Sequence, residues 1–236
     1  MLRVRDLDQN AATNPLLFAT ISAVLVAAGL WGISQEAPPF FADGWGERTV
    51  VTAMLADTIH PAPSIQSQLG YLFNCQVALT SLSGRAQPAP ARQRAAEKCR
   101  DGSDMITNSS PTFSAAWQMG ALAAATMEDW PGMNWRLRQA YETGPNEQWL
   151  AERRIDLAQT HVEQLDPDLL PRHDRDLVLL LLDDNGRRFL APRYHALADM
   201  RARIDTVLPS LPVDNRTRFE SLAGYLAVER SRTNGR

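Results

Sequence analysis

The sequence predicts an all-α protein: a single N-terminal transmembrane helix followed by an α-solenoid, a stacked array of helical hairpins. Three observations lead to this prediction. An uncharged apolar run, residues 15–33, is long enough to cross a bilayer. Beyond it, apolar residues recur at spacings of three and four, and no segment shows the period of two of a half-buried strand. Pro and Gly divide these helical segments into pairs.

The N-terminal helix is predicted over residues 15–34. A helix rises about 1.5 Å per residue, so about 20 apolar residues cross a hydrocarbon core about 30 Å thick. Asn14 is placed to cap this helix, and Pro15 suits its first position. The alternative is a cleaved signal peptide with a small-x-small site at Ala27 and Gly29. Against it, the apolar run continues past that site and the leading segment is not clearly cationic.

The basic residues favour a cytoplasmic N-terminus. Arg3 and Arg5 precede the apolar run, whereas the first basic residue after it is Arg48. Lys and Arg close to a membrane helix are retained preferentially on the cytoplasmic side. Residues 1–14 are therefore predicted to be cytoplasmic, and residues 48–231 to form an extracytoplasmic, periplasmic domain of an inner-membrane protein.

The two cysteines, Cys75 and Cys99, support the same location. Each lies on the apolar stripe of a predicted helix, over residues 64–83 and 90–107, and a Pro-containing turn separates the two helices. In an antiparallel pair the cysteines reach similar heights, and small residues nearby allow the approach that a disulfide needs. The sequence therefore predicts a Cys75–Cys99 disulfide in an oxidising compartment. The alternative is two unrelated buried thiols.

The rest of the chain is predicted as a linker, further helix pairs and a tail. Residues 35–47, rich in Pro, Gly and aromatic residues, are predicted to be a linker, and residues 232–236 a tail. Phe40, Phe41 and Trp45 are expected at the bilayer surface, and the alternative is that they contact a partner. Pro131 and Gly132 divide the two helices of one further pair, and the Asp166–Pro167 region divides those of the next. The further pairs are predicted at 111–130 with 132–144, at 146–165 with 169–184, and at 187–208 with 213–231.

Residues 114–147, SAAWQMGALAAATMEDWPGMNWRLRQAYETGPNE, resemble a single tetratricopeptide repeat. The matches are the aromatic and small positions of the first helix, the bulky and small positions of the second helix, and the closing proline. In this chain the matching residues, the predicted repeat core, are Trp117, Ala121, Leu137, Ala140 and Pro145. Gly120, Ala124 and Met133 depart from the motif, and the neighbouring hairpins match it poorly.

The resemblance also implies a binding surface. In a tetratricopeptide-like pair the first helix lines a concave groove in which partners often bind. Carried onto this chain, the groove-lining residues are Gln118, Leu122, Trp149, Glu152, Asp156 and Gln159. An exposed Trp149 among polar residues has the composition of an interaction hot spot. The alternative is that Trp149 packs between repeats and that Leu122 belongs to the core.

The sequence contains no motif of a catalytic or metal-binding site. Its histidines are scattered without the spacing of a zinc site, and the acidic clusters at 172–176 and 182–186 lack the ligand spacing of a calcium loop. A nucleophile elbow, a phosphate loop and a dinucleotide fingerprint are all missing. No catalytic residue, metal or cofactor is predicted. The net charge of −3 gives no support to a nucleic-acid partner.

Three functions are compatible with these features. The first is a membrane-anchored periplasmic scaffold or adaptor that binds other envelope proteins in a bacterial assembly, with polysaccharide production or export as one setting. The second is an accessory subunit of a membrane enzyme that associates through its transmembrane helix. The third is a hydrolase without a recognised motif. The sequence favours the first, a protein that is not an enzyme and whose partners are the bilayer and other envelope proteins.

Overall fold

The computed structural model describes residues 15–41 and 46–234 as an all-helical protein. These residues form twelve α-helices and none of them lies in a strand, which confirms the predicted all-α class for this part of the chain. The helices are α1 Pro15–Phe41, α2 Glu47–Leu55, α3 Ile65–Thr80, α4 Leu82–Arg85, α5 Ala89–Ser109, α6 Ser114–Thr126, α7 Trp130–Thr143, α8 Gln148–Thr160, α9 Leu170–Leu181, α10 Asp184–Ala196, α11 Ala198–Val207 and α12 Val213–Asn234.

Helix α1 contains the apolar run. Its stretch Leu17–Ser34 has a mean hydropathy of 1.9 and no residue buried against the rest of the protein, so by length and composition it is able to cross a membrane. The predicted cytoplasmic segment 1–14, with Asn14, Arg3 and Arg5, lies outside the described residues.

The predicted linker, residues 35–47, is corrected by the structure in its first half. Helix α1 does not end near Ser34 but continues to Phe41, and α2 begins at Glu47. A tertiary contact holds the extension, because the carboxylate of Glu36 accepts a hydrogen bond from the backbone N–H of Ser64 at 2.8 Å. Such a contact between residues far apart in the chain leaves no trace in local composition. Residues 42–45 lie outside the described part.

The helices pack in pairs, and the pairs contact one another. Helix α3 packs on α5, α6 on α7, and α8 on α9. In addition α3 contacts α6, α6 contacts α8, and α8 contacts α10. The first helices of successive pairs therefore lie side by side. Buried apolar side chains between the helices form three clusters along the chain, which centre on α3 with α5, on α6 with α7, and on α9 with α10.

The turn between α6 and α7 lies earlier in the chain than predicted. Pro131 and Gly132 are in the first turn of α7, where a missing proline N–H is tolerated. Asp129 caps this helix by accepting a hydrogen bond from the N–H of Gly132 at 3.0 Å. The chain reverses at Glu128, which has a positive φ of 60°.

The predicted helix 187–208 is two helices. Helix α10 ends at Ala196, Leu197 is extended with φ −125° and ψ 113°, and α11 follows. The end of α10 leaves its last carbonyls without a helical partner, and that of Tyr194 is one of them. The Nε of Arg201 donates a hydrogen bond to this carbonyl at 3.0 Å, which stabilises the break. The last predicted pair is therefore a group of three helices, α10, α11 and α12.

Cys75 on α3 and Cys99 on α5 lie at disulfide distance, as the sequence predicts. Their Cα atoms are 5.6 Å apart, and both side chains are fully buried. The two helices also approach closely at Gly102 on α5. The ring of Tyr71 on α3 occupies the space that a side chain at Gly102 would need. The hydroxyl of Tyr71 donates a hydrogen bond to the carbonyl of Lys98 at 2.8 Å, which fixes the ring there.

We expect Gly102→Ala to lower the free energy of unfolding by about 1–3 kcal/mol. A Cβ at this position would overlap the phenol ring of Tyr71, so the helix pair has to separate or the ring has to leave its hydrogen bond. Chemical denaturation of the full-length protein in detergent micelles measures the change. The matched control is Gly224→Ala on α12, where nothing lies within 4 Å of the new methyl group. That change is expected to stabilise through helix propensity, and equal effects at both sites would contradict the prediction.

Candidate functional site: a groove along α3, α6 and α8

A groove of about 480 Å³ runs along the first helices of three successive pairs. We call it the central groove. It exists because α3, α6 and α8 lie side by side and each turns one face away from its partner helix. Each of these helices contributes polar or apolar side chains to the lining, among them Gln76 and Thr80 on α3, Gln118 and Leu122 on α6, and Arg153 and Asp156 on α8.

The structure brings together three of the six predicted groove residues. Gln118, Leu122 and Asp156 line the central groove. Trp149 lies on the same face of α8 as Arg153, one turn earlier. Half of its surface is exposed, at 50%, so its ring is not a core element between repeats.

Trp149, Glu152 and Gln159, the other three predicted groove residues, do not line the groove. Glu152 is partly buried on α8, and burial raises the pKa of its carboxyl while the neighbouring Arg153 and Arg193 oppose the rise. Gln159 is also partly buried on α8, and its amide oxygen has no hydrogen-bond partner among the described residues. Both side chains therefore lie on α8 but outside the lining of the groove.

Polar side chains of the central groove are held by their neighbours. The amide of Gln76 lies beside Arg153, and with its oxygen turned towards the guanidinium it accepts a hydrogen bond from Nε at 3.2 Å. Asp156 accepts two hydrogen bonds from Arg193 on α10, at 2.8 and 3.0 Å. Burial lowers the pKa of His161 at the end of the groove, which favours its neutral form near pH 7.

Gln118 is the most buried polar side chain of the groove. It is 5% exposed, and its amide oxygen has no partner among the described residues. Buried polar atoms nearly always have a hydrogen-bond partner, so a bound ligand or water is expected to supply one here. Leu79, Leu122 and Leu157 form an apolar floor beside it. Together these groups suit a ligand that is partly apolar and also forms hydrogen bonds.

The predicted repeat core is closely packed except at its aromatic position. Ala121, Leu137 and Ala140 have no exposed surface. Trp117 is only partly buried: its indole N–H donates a hydrogen bond to the carbonyl of Pro111 at 2.7 Å, and its ring meets the edge of Trp135 at a centroid distance of 5.1 Å. Pro145, the closing proline of the motif, is partly buried just after α7.

Sequence reasoning missed a buried ion pair between α8 and α9. The guanidinium of Arg154 donates two hydrogen bonds to Asp176, at 2.7 and 2.8 Å, and a third to the carbonyl of Gly144 at 3.0 Å. The two side chains are 0% and 2% exposed. Burial raises the pKa of Asp176, and the hydrogen bonds from Arg154 oppose this rise. The one available signal was an arginine within the apolar stripe formed by Ala151, Ile155 and Ala158.

His173 lies one turn before Asp176 on α9 and is also buried, at 1% exposure. Neither ring nitrogen has a hydrogen-bond partner among the described residues. Burial, with a smaller contribution from the charge of Arg203, lowers the pKa of His173 to about 4. The folded protein therefore keeps this imidazole neutral over the physiological range.

We expect acidification from pH 7 to pH 5 to lower the stability through His173 by about 2 kcal/mol. The pKa is about 4 in the folded state against an ordinary value of 6.5, so the unfolded chain binds the proton first as the pH falls. Stability from this residue is complete above pH 6.5 and is lost between pH 6.5 and 4. Denaturation of wild type and His173→Leu over this range measures the effect.

The leucine variant is expected to show a flatter pH dependence than wild type. A control for buffer effects is His60→Leu, since His60 is exposed on the loop after α2. Identical pH slopes for wild type and His173→Leu would contradict the assignment.

Among the described residues no group of three His, Cys, Asp or Glu side chains is arranged to hold a metal ion. No protein-family model, curated protein or solved structure matches the chain.

Proposed function

We propose that this protein is a membrane-anchored helical-repeat scaffold or adaptor that binds other proteins of a bacterial envelope assembly through the central groove. The observation that carries the proposal is the groove itself, formed by side-by-side first helices. It contains the buried amide oxygen of Gln118, which has no hydrogen-bond partner in the part of the chain that the structure describes. In this proposal the helix pairs form a solenoid, and polysaccharide production or export is one setting for the assembly.

The proposed location is the inner membrane, with the N-terminus in the cytoplasm and the helical domain in the periplasm. Two features support it. Leu17–Ser34 has the length and hydropathy of a membrane span. The Cys75–Cys99 pair is at disulfide distance, and stable disulfides are typical of oxidising compartments.

A contact between α1 and α3, which we call the Glu36 latch, supports a fixed placement of the groove above the bilayer. The Glu36 carboxylate accepts hydrogen bonds from the N–H of Ser64 at 2.8 Å, from its hydroxyl at 2.6 Å, and from the hydroxyl of Ser67. These hydrogen bonds lower the pKa of Glu36, which keeps it ionised at the N-terminus of α3. Glu36 follows the apolar stretch directly, and the same α3 contributes Gln76 to the groove.

We expect Glu36→Ala to release the helical domain from its fixed orientation on α1. Spin labels at Thr20 and Arg92, both exposed, are expected to give a narrow distance distribution in wild-type protein in nanodiscs. The distribution is expected to broaden in Glu36→Ala because the hydrogen bonds to Ser64 and Ser67 are lost. Glu47→Ala, at an exposed carboxylate of α2, is the control. An unchanged width in Glu36→Ala would show that the latch does not hold the domain.

The docking proposal is tested by photo-crosslinking of the full-length protein in native membranes. A photo-reactive residue at Leu122, in the groove, is expected to capture a discrete envelope protein, whereas the same residue at the exposed Tyr225 on α12 is not. Filling the groove with Thr80→Trp is expected to abolish the adduct. Adducts that are equal at both positions, or insensitive to Thr80→Trp, would refute docking in the groove.

The second candidate is an accessory subunit of a membrane enzyme that associates through α1. The observation that favours it is that no residue of Leu17–Ser34 is buried against the other residues that the structure describes, which leaves a surface for another membrane helix. Replacing residues 15–34 with an unrelated transmembrane helix separates the two candidates. Partner capture that survives the exchange supports docking through the groove, and capture that is lost supports association through the membrane helix.

A further inference from the structure

We propose that the central groove binds an extended, acidic segment of a partner protein. This inference rests on the proposed docking function and specifies its ligand. The charges, the hydrogen-bonding groups and the apolar floor of the groove all suit such a ligand.

Two arginines that line the groove lack acidic partners among the described residues. Arg85, the last residue of α4, and Arg153 on α8 both line the groove and are exposed. Neither forms an ion pair with a carboxylate among the described residues. The neighbour of Arg153 across the groove is the neutral amide of Gln76. No carboxylate among the described residues neutralises either guanidinium by an ion pair, so both charges attract a carboxylate from outside, which Arg binds with paired hydrogen bonds.

The acidic residues nearby do not cancel this charge. Asp156, the carboxylate that lines the groove, is held by two hydrogen bonds from Arg193. Glu152 lies next to Arg153 in the chain and interacts electrostatically with Arg153 and Arg193, but it does not line the groove. Within the lining itself, Arg85 and Arg153 stand against one carboxylate, Asp156, which Arg193 already holds. The charge of the lining therefore favours an anionic ligand.

The hydrogen-bonding groups suit a peptide backbone. Gln118 has a buried amide oxygen without a partner among the described residues, and Gln76 presents a second amide from the facing helix. An extended peptide offers N–H and C=O groups at regular intervals, which side-chain amides can bind from both sides of a groove. The apolar floor of Leu79, Leu122 and Leu157 lies between them, where it accommodates apolar side chains of the ligand.

The lining argues against an acidic polysaccharide as the ligand. No Phe, Tyr or Trp side chain is among the described residues that line the groove, and the single ring is that of His161. A flat aromatic face is the usual surface on which the apolar side of a sugar ring packs. The leucine floor instead favours a flexible, partly apolar chain. The ligand is therefore a segment that carries Asp or Glu together with apolar residues.

The test uses phage-displayed random dodecapeptides, selected on the full-length protein in nanodiscs. Selected peptides are expected to be enriched in Asp and Glu, and a fluorescein-labelled selected peptide is expected to bind less tightly as salt is raised. In the double variant Arg85→Gln/Arg153→Gln, at two exposed residues, the affinity is expected to fall by at least about tenfold. The control Arg92→Gln/Arg94→Gln, at exposed arginines of α5 outside the groove, is expected to bind like wild type.

The outcomes separate this inference from the proposed function. Loss of peptide binding in Thr80→Trp shows that a peptide requires an open groove. If such peptides lack acidic residues, or bind Arg85→Gln/Arg153→Gln as tightly as wild type, the inference is overturned and docking in the groove is retained. The absence of any groove-dependent peptide would overturn both. Alginate serves as an acidic polysaccharide probe. If alginate binds through the same two arginines and no peptide binds, the inference is overturned in favour of a sugar ligand.

Discussion

Arg154→Met is expected to lower the free energy of unfolding by about 3–5 kcal/mol. The substitution leaves the carboxylate of Asp176 buried between α8 and α9 without the guanidinium that donates two hydrogen bonds to it. It also leaves the carbonyl of Gly144 without its hydrogen bond from Arg154. Chemical denaturation of the full-length protein in micelles, followed by tryptophan fluorescence, measures the change.

Two further variants isolate the role of burial. The double variant Arg154→Met/Asp176→Leu removes both charges and is expected to recover much of the lost stability, because apolar residues of similar volume often replace a buried ion pair without cost. The matched exposed pair is Arg172 with Glu142, which are 3.0 Å apart and 30% and 47% exposed. Arg172→Met is expected to cost less than about 1 kcal/mol. Equal effects of Arg154→Met and Arg172→Met would contradict the prediction.

Cys75→Ala/Cys99→Ala is expected to lower the free energy of unfolding by about 3 kcal/mol. The cysteines are separated by 24 positions in the sequence, and the bond between them restricts the unfolded chain more than the folded one. Both variant side chains remain small and buried in the same cluster, so the loss of the cross-link is the main change. Thermal or chemical denaturation of the variant and of wild type gives the difference.

Reduction of the wild-type protein provides the control for the disulfide. Reduction removes the cross-link but leaves both sulfur atoms in the core. The free energy of unfolding of reduced wild type is therefore expected to be close to that of the double-alanine variant. Mass spectrometry after thiol alkylation in intact cells shows the pairing directly. We expect both cysteines to resist alkylation before reduction because they are joined in a disulfide. Alkylation of both cysteines in unreduced cells would contradict the cross-link and the oxidising location.

The elements that the sequence predicted well depend on local periodicity. The stripe of apolar residues on α3 and α5 placed Cys75 and Cys99 on facing helices, because a period of 3.6 residues decides which side chains share a face. The pairs α3 with α5, α6 with α7 and α8 with α9 follow from the same pattern. Local signals are weaker at the ends of helices, so the sequence predicts a turn at Pro131, whereas Pro131 lies in the first turn of α7.

The candidate site was predictable only in part. Gln118, Leu122 and Asp156 were placed in a groove by their positions on first helices, and the structure brings them together. Arg85 and Arg153, which carry the further inference, were not singled out, because nothing in the sequence shows whether a surface arginine has a carboxylate partner. That property depends on helices that are distant in the chain.

The sequence by itself determined the all-helical character of the described residues, the apolar membrane-length stretch and the pairing of the cysteines. Each of these follows from side-chain spacing within one or two neighbouring helices. Only the tertiary structure decided that α1 extends to the Glu36 latch, that Arg154 and Asp176 meet in the core, and that three helices share one groove. These features depend on contacts between segments far apart in the chain, whose energies no local pattern records.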